Sequence, residues 1–450
     1  MLLEINAGDT AWLLTSAALV LLMTPGLAFF YGGMVRSKGV LNMMMMSFIS
    51  IGTVGITWAV VGYSEAFGNS LHGIVGNPFQ FAFLDSLVAG DQAVGKVPAL
   101  AFAAFQGCFA IIAVALLSGA IAERVTFRAW TTLSVVWVLL VYAPLAHWVF
   151  AANGLAAEHG GWIVNDLHAI DLAGGTVIEV ACGAAGLALA LVLGPRVGFR
   201  STPMRPHNMT LVMIGAGLLW FGWFGFNSGS ALTSGTWAAL IWVNTLLSPC
   251  AAMLAWLVIE KRRDGHPTSL GAASGAVAGL VAITPSGGSV SPLGAMAIGL
   301  TAGALCAWAV SWKYTFGFDD SLDLVGVHLV GGVVGTLGIG FLADPRTATK
   351  VAGLFYGGGA HQLWRQGVAV LAAGAFSFGM TWLIATALTK SIGMRVSPQA
   401  EVSGIDLAEH SEVGYDLTPV QHSAYRRVRH TLILDPEDVP SSMMTQETRT

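Results

Sequence analysis

Residues 171–193 read D-L-A-G-G-T-V-I-E-V-A-C-G-A-A-G-L-A-L-A-L-V-L. A spanning helix needs about 20 predominantly apolar residues, and this run supplies them with one carboxylate in its interior, Glu179. Burying an ionisable group there costs roughly 3 kcal/mol on insertion scales, so its presence marks a functional candidate. Glycine and alanine fill much of the remainder, and such small residues let neighbouring helices approach closely. The stretch predicts a transmembrane helix packed among others, with Asp171 at its start and Glu179 more than a turn inside.

The same reading extends in both directions. Apolar runs of span length centre near Leu19, Gly52, Ile111, Val138, Ala184, Gly217, Ala251, Gly279, Gly303, Gly335 and Phe376. These predict an all-α polytopic membrane protein of eleven transmembrane helices. Composition agrees: 55% of the 450 residues are hydrophobic and 10% charged, against about 25% charged in a soluble domain. The 56 glycines lie largely inside the apolar runs. A net charge of -4 argues against a nucleic-acid partner. Cys108, Cys182, Cys250 and Cys306 sit in apolar stretches without metal-ligand spacing and read as small buried hydrophobes. No cofactor or metal is expected. The N-terminal stretch lacks a basic n-region and cleavage site, so the first span is expected to begin directly.

Basic residues set the sidedness. Odd-numbered connections hold Arg36, Lys38, Arg124, Arg128, Arg196, Arg200, Arg205, Lys261, Arg262, Arg263 and Lys313. Even-numbered ones hold Lys96, Arg346 and Lys350, with Arg365 near a helix start. The expected protein therefore lies in the inner (plasma) membrane, N-terminus outside and C-terminus cytoplasmic. The polar tail keeps scattered apolar residues over 393–415 and could dock on the cytoplasmic face, whereas 436–450 reads as disordered. Around Glu179 the chain reads E-V-A-C-G-A-A-G, and around His328 it reads H-L-V-G-G-V-V-G. Glycines follow each ionisable residue at four and seven positions. That echo fits two inverted five-helix halves plus one extra helix, with spans five and ten as counterparts.

Asp171, Glu179, Asp323 and His328 are the ionisable residues in or near spans, and His147 lies at a boundary. Asp171 can cap span five by accepting backbone N–H bonds, and a carboxylate at an outer mouth also favours cations. Asp323 is assigned a capping or loop-holding role at span ten, and His147 a loop-holding one. Glu179 and His328, set at corresponding depth, can share a proton as a neutral hydrogen-bonded pair or as an ion pair. Phe105 and Phe109 are four apart, as are Phe226 and Ser230, so each pair shares a helix face. Aromatic faces hold cations, and a serine hydroxyl accepts an N–H bond that potassium cannot donate. The same spacing also serves plain packing.

Several stretches carry a resemblance. T-P-G-L-A-F-F-Y-G-G at 24–33, A-F-Q-G-C-F-A at 104–110 and A-E-R at 122–124 come first, followed by A-P-L-A-H-W-V-F at 143–150 and D-L-A-G-G-T-V at 171–177. G-W-F-G-F-N-S-G-S at 222–230, D-D-S-L-D-L-V-G-V-H at 319–328 and G-M-R-V at 393–396 complete the series. Over nearly its whole length the chain resembles the ammonium transporter (Amt/Mep/Rh) family, in its Amt-like branch. The resemblance implies a homotrimer with a pore through each subunit, carrying ammonium, ammonia or methylammonium. It implies an outer recruitment site at Phe109, Phe150 and Ser230, supported by Asp171, and an aromatic gate of Phe105 and Phe226. Ammonia would then cross an apolar channel while Glu179 and His328 relay the proton. A PII-class regulatory protein would meet the cytoplasmic tail, and lipid would surround the spans. The implied divisions are a transporter domain over 1–390, a cytoplasmic regulatory tail over 391–416 and a disordered extension over 417–450.

Two positions depart from the family pattern. Glu179 stands where the first of twin pore histidines is usual, and Phe150 where tryptophan is common. Trp148 does not replace that ring, because residues two apart on a helix point to nearly opposite sides. The rival readings are an ammonium sensor with little flux and an electroneutral ammonia or gas channel. An intramembrane enzyme is not expected, since no span carries a nucleophile–base arrangement or H-E-x-x-H spacing.

Overall fold

Hydropathy of the runs, more than helix propensity, dictates the architecture: inside a bilayer each backbone polar group must be satisfied within its own helix. The computed structural model describes residues 5–415; the extension 417–450, read as disordered, lies outside the described residues. Among the described residues, ten helices are long and apolar enough to cross a membrane: Ala7–Met34, Ser37–Phe67, Ala99–Ile121, Phe127–Phe150, Gly175–Leu193, Met209–Gly229, Thr236–Asp264, Pro292–Phe316, Val325–Leu342 and His361–Ser391. An eleventh apolar helix, Ser269–Ile283, is shorter. Numbered in chain order with Ser269–Ile283 as span eight, all eleven contain their expected centres.

Side-chain caps start many of these helices, satisfying N–H groups that a helix leaves orphaned. Asn6 accepts from the Asp9 N–H at 2.9 Å, Asn208 from Leu211 at 3.1 Å and Thr268 from Gly271 at 2.9 Å. Spans one and six, the first members of the two halves, run closely side by side. A Cβ at Gly215 of span six would lie 2.2 Å from the Phe30 backbone nitrogen of span one. Only glycine permits that approach.

Successive traverses bring the odd-numbered connections to one end, the basic end. There a buried ion network ties together four segments. Glu123 meets Arg36 Nε at 2.6 Å and Arg196 Nη1 at 2.7 Å. Arg196 also binds Asp319 through Nε at 2.8 Å, and Asp319 stands 3.8 Å from Arg124. Burial raises the Glu123 carboxyl, but Arg196 and Arg36 outweigh it and hold the group below its ordinary range. The network's contribution is therefore complete above the ordinary carboxylate range and is lost as pH falls below about 4. Breaking a buried pair by removing one partner costs about 3 kcal/mol or more. Glu123→Gln is accordingly expected to lower the thermal midpoint of the detergent-solubilised protein at pH 7. Wild type and variant should converge on acidification; a constant gap down to about pH 3 would contradict the assignment.

The segment after span eleven returns along this end. Thr126 N donates to Met394 O at 2.8 Å, and Val396 N to Arg124 O at 3.0 Å. Glu409 accepts from the Phe127 N–H at 2.8 Å at the start of span four. Asp406 accepts from Leu41 and Asn42 near the start of span two at 3.0 and 2.8 Å. Both carboxylates sit where the helix dipole favours negative charge. Over 394–409 the docking anticipated for 393–415 thus has a defined geometry, made by acidic side chains together with the buried apolar Met394, Val396 and Ile405.

Candidate functional site

Spans three and six run antiparallel, so a residue four places deeper on one faces a residue four places earlier on the other. Phe109 and Phe226 meet at this level and stack, centroids 4.1 Å apart and planes at 11°. Phe105 lies one turn earlier in span three, 4.8 Å from Phe109 and tilted by 59°. A Cβ at Gly229 would come within 2.9 Å of the Phe105 ring, placing that ring beside the C-terminal end of span six. Ser230 follows Gly229 and donates its hydroxyl to Phe226 O at 2.8 Å, which leaves its lone pairs free for an N–H donor. The structure thus groups the rings differently from the resemblance: Phe109 stacks with Phe226, and the Phe105 ring packs beside Gly229. Spacing along one helix fixes a shared face but not which depth it meets on the next.

Phe150, the last residue of span four, is half-buried and makes no ring contact with Phe105, Phe109 or Phe226 among the described residues. Trp148 points elsewhere, as expected: its Nε1 donates to Ile74 O at 2.7 Å and its ring lies 4.7 Å from Phe376. Asp171 has both carboxylate oxygens committed to the start of span five. Oδ1 accepts from Gly174 and Gly175 N–H at 2.8 and 2.7 Å, and Oδ2 from Thr176 N–H at 2.7 Å. It is a cap, and any action on a cation would be exerted through its field.

Beneath Phe226 lies a narrow cavity of about 20 Å³, room for about one water-sized molecule. Its walls are chiefly apolar, including Leu27, Ile112 and Val277, and its ionisable members are Glu179, His328 and Tyr31. Glu179 Oε2 stands 2.7 Å from His328 Nδ1, and both residues are buried. Glu179 Oε1 has no hydrogen-bond partner among the described residues. The two side chains sit in matching π-helical turns, Gly175–Val180 and Val325–Leu329, which open spans five and ten. Such wide turns are rare and recur at functional sites.

The glycine echo has a physical cause. Four residues beyond Glu179, a Cβ on Gly183 would lie 2.4 Å from Leu329 N; four beyond His328, one on Gly332 would lie 2.8 Å from Glu179 Cβ. Each glycine clears the path of the opposite span, so the crossing brings the ionisable pair together. The two halves are related at this point by reciprocal contacts.

His147 lies outside the cavity lining. Its Nδ1 is 2.9 Å from Ala66 O and its Nε2 2.8 Å from Ser70 Oγ, so it fastens the connection after span two. At span ten the cap falls to Asp320, whose Oδ2 accepts from Val325 N–H at 2.7 Å. Asp323, at φ 65°, turns away to pair with Lys313 at 2.6 Å, and is a loop holder rather than the cap. Sequence reasoning left Tyr31 and Asp320 without roles, although both stand inside stretches it singled out. An aspartate eight residues before each pore residue, Asp171 and Asp320, was the available signal.

A cation can be held against ring faces at the mouth but would meet stacked rings and then a cavity with little to solvate charge. A neutral amine can enter such a space, and a carboxylate–imidazole pair can move the proton separately.

The model of the Ammonium Transporter Family matches residues 11–415. An ammonium transporter of Mycobacterium tuberculosis is 55% identical over 432 residues, covering 91% of each chain. The crystal structure of Saccharomyces cerevisiae Mep2 superposes with a TM-score of 0.83 at 30% identity, covering 93% of each chain. A solved chain described as a sensor Amt protein also gives 0.83 at 30% identity, over 90% of this chain and 98% of that one.

Proposed function

The chain belongs to the ammonium transporter family, and from that premise we propose that it recruits NH4+ at the outer mouth and conducts ammonia inward with a separately relayed proton. Ser230 accepts an N–H bond there, the faces of Phe105 and Phe109 attract the cation, Phe150 contributes from the end of span four, and Asp171 adds its field. The Phe109–Phe226 stack opens transiently to pass neutral ammonia into the apolar cavity. Glu179 and His328 carry the proton. The observation that carries this reading is the stack set directly over a cavity whose buried ionisable groups include a 2.7 Å carboxylate–imidazole pair. Potassium has no N–H to offer Ser230 and cannot shed its charge to pass the rings, so the same geometry rejects it.

Family likeness further supports a homotrimer in the inner membrane, N-terminus outside, with a PII-class protein docking at the basic end near the returning tail. The test is current on adding ammonium to proteoliposomes on a solid-supported membrane, with potassium as control. A saturable, ammonium-specific current is expected. Binding of ammonium without current would instead support the sensor reading or electroneutral ammonia passage.

A further inference from the structure

Asp9, Trp12 and Ser16 follow one another along span one at spacings of three and four, so they share a helix face. That face lies along residues 228–234, where span six ends and the chain turns away. Trp12 Nε1 donates to Ser228 O at 3.3 Å. A Cβ on Gly229 would meet Ser16 Cβ at 2.5 Å and the Phe105 ring at 2.9 Å. Asp9 Oδ1 accepts from Ser234 N–H at 2.8 Å, from Ser234 Oγ at 3.0 Å and from Thr233 Oγ1 at 3.3 Å. Ser230 therefore sits in a segment that span one holds on both sides.

The two sides differ in what fixes them. Ser228 and Gly229 belong to span six, whose own backbone bonds set their place. Beyond Ser230 the chain leaves the helix, and Leu232 sits at φ 52°, a left-handed conformation unfavourable for leucine. Such backbone persists only where its surroundings over-determine it. Asp9 supplies that hold, through the three bonds to Thr233 and Ser234. The carboxylate is buried on a fixed mount: Asn6 Oδ1 accepts from the Asp9 N–H at 2.9 Å, and the Asn6 N–H donates to Lys96 O at 2.9 Å. Lys96 lies just before Ala99, where the helix that carries Phe105 begins. One turn of span one thus joins the ring of span three to the hydroxyl at the end of span six.

We propose that Asp9 is a positioning residue for ammonium recruitment: its hold on Thr233 and Ser234 sets the turn that aims the Ser230 hydroxyl. The proposal rests on the recruitment reading above. Ser230 donates its own proton to Phe226 O, so its lone pairs are what remain for ammonium. Their direction follows the backbone of Ser230, the cap residue from which the turn departs. Without Asp9 the left-handed Leu232 relaxes, and Ser230 rotates with it away from the ring of Phe105. Asp9 acts through this geometry. Its Oδ1 is committed to three donors of the turn, and no contact with the cation is assigned to it.

The experiment measures ammonium-driven current in proteoliposomes against ammonium concentration, for wild type, Asp9→Ala, Asp9→Asn, Ser230→Ala and the double variant Asp9→Ala/Ser230→Ala. Asp9→Ala is expected to raise KM about tenfold, as loss of hydrogen bonds to a charged group does. Its limiting current should stay within about twofold of wild type, since binding and not passage is disturbed. Asp9→Asn keeps an oxygen for the turn and should stay within about threefold of the wild-type KM. Ser230→Ala should also raise KM, and adding Asp9→Ala to it should raise KM no further, because Asp9 acts through Ser230. A wild-type KM in Asp9→Ala, a KM in Asp9→Asn as high as in Asp9→Ala, or single effects that multiply in the double variant overturns the proposal. Should Asp9→Ala fail to fold, Thr233→Val combined with Ser234→Ala decides, because it removes both hydroxyl bonds and leaves Asp9 in place. A raised KM there supports the assignment and a wild-type KM overturns it. Ser230→Ala with a wild-type KM would remove the recruitment reading itself, and this proposal with it.

Discussion

Exchanging Glu179 for glutamine is expected to cut ammonium-driven current at pH 7 by about 100-fold or more, the low end of what a positioned proton-transfer group contributes. Glutamine has nearly the shape of glutamate and still offers an oxygen to His328 Nδ1, so packing between spans five and ten survives. What disappears is the carboxyl group able to exchange a proton with the imidazole 2.7 Å away. In a cavity walled chiefly by apolar side chains, an ammonia molecule can still pass while its proton cannot follow. The expected signature is loss of current greater than loss of ammonia flux, with the thermal midpoint close to wild type. Glu179→His is the informative companion. It restores the twin-histidine pattern usual in the resembling family and should keep current while shifting its pH dependence, since two imidazoles repel when both are charged. Equal current in wild type and Glu179→Gln between about pH 5 and 8 would remove Glu179 from the relay and leave it a buried structural acid.

How much of this was legible before the fold was known depends on what each signal encodes. Hydropathy reports burial in lipid, so all eleven span centres could be read, down to the short helix Ser269–Ile283. The glycine echo around Glu179 and His328 was legible as a repeat, but its cause, a reciprocal close crossing, needs two helices and not one. Helical spacing put Phe105 with Phe109 and Phe226 with Ser230, and could not pair rings across helices. The antiparallel run of spans three and six does that, matching Phe109 to Phe226. Among the three aspartates of 319–323, sequence reading left the one nearest the helix, Asp323, as either cap or loop holder. The left-handed backbone at Asp323 turns its carboxylate toward Lys313, and Asp320 takes the helix start instead. That choice depends on a lysine in another span, which local patterning does not contain. Phe150 belongs to the site only by likeness to the family, since no ring contact ties it to the stack.

The crossing itself makes the second large prediction. Gly183→Ala adds one methyl group where Leu329 presents backbone atoms at 2.4 and 2.7 Å and Cβ at 2.5 Å. Backbone cannot swing aside as a long side chain would, so spans five and ten must separate along their length. Overpacking of this kind costs about 3 kcal/mol, and more where the surroundings are rigid. In Gly332→Ala the nearest atoms are Glu179 Cβ at 2.8 Å, Val180 N at 3.0 Å and Gly175 O at 3.1 Å, so the strain is smaller but falls on the proposed relay side chain. Gly183→Ala should therefore show the larger drop in thermal midpoint, and Gly332→Ala a loss of current out of proportion to its stability. Gly367→Ala in span eleven is the control, because a Cβ there meets nothing within 4 Å. Glycine costs about 1 kcal/mol relative to alanine inside a helix, so that exchange should be neutral or stabilising. If Gly183→Ala melted with Gly367→Ala, the spans would not cross as closely as the reciprocal glycines require. The 2.7 Å meeting of Glu179 and His328 would then lose the packing that enforces it.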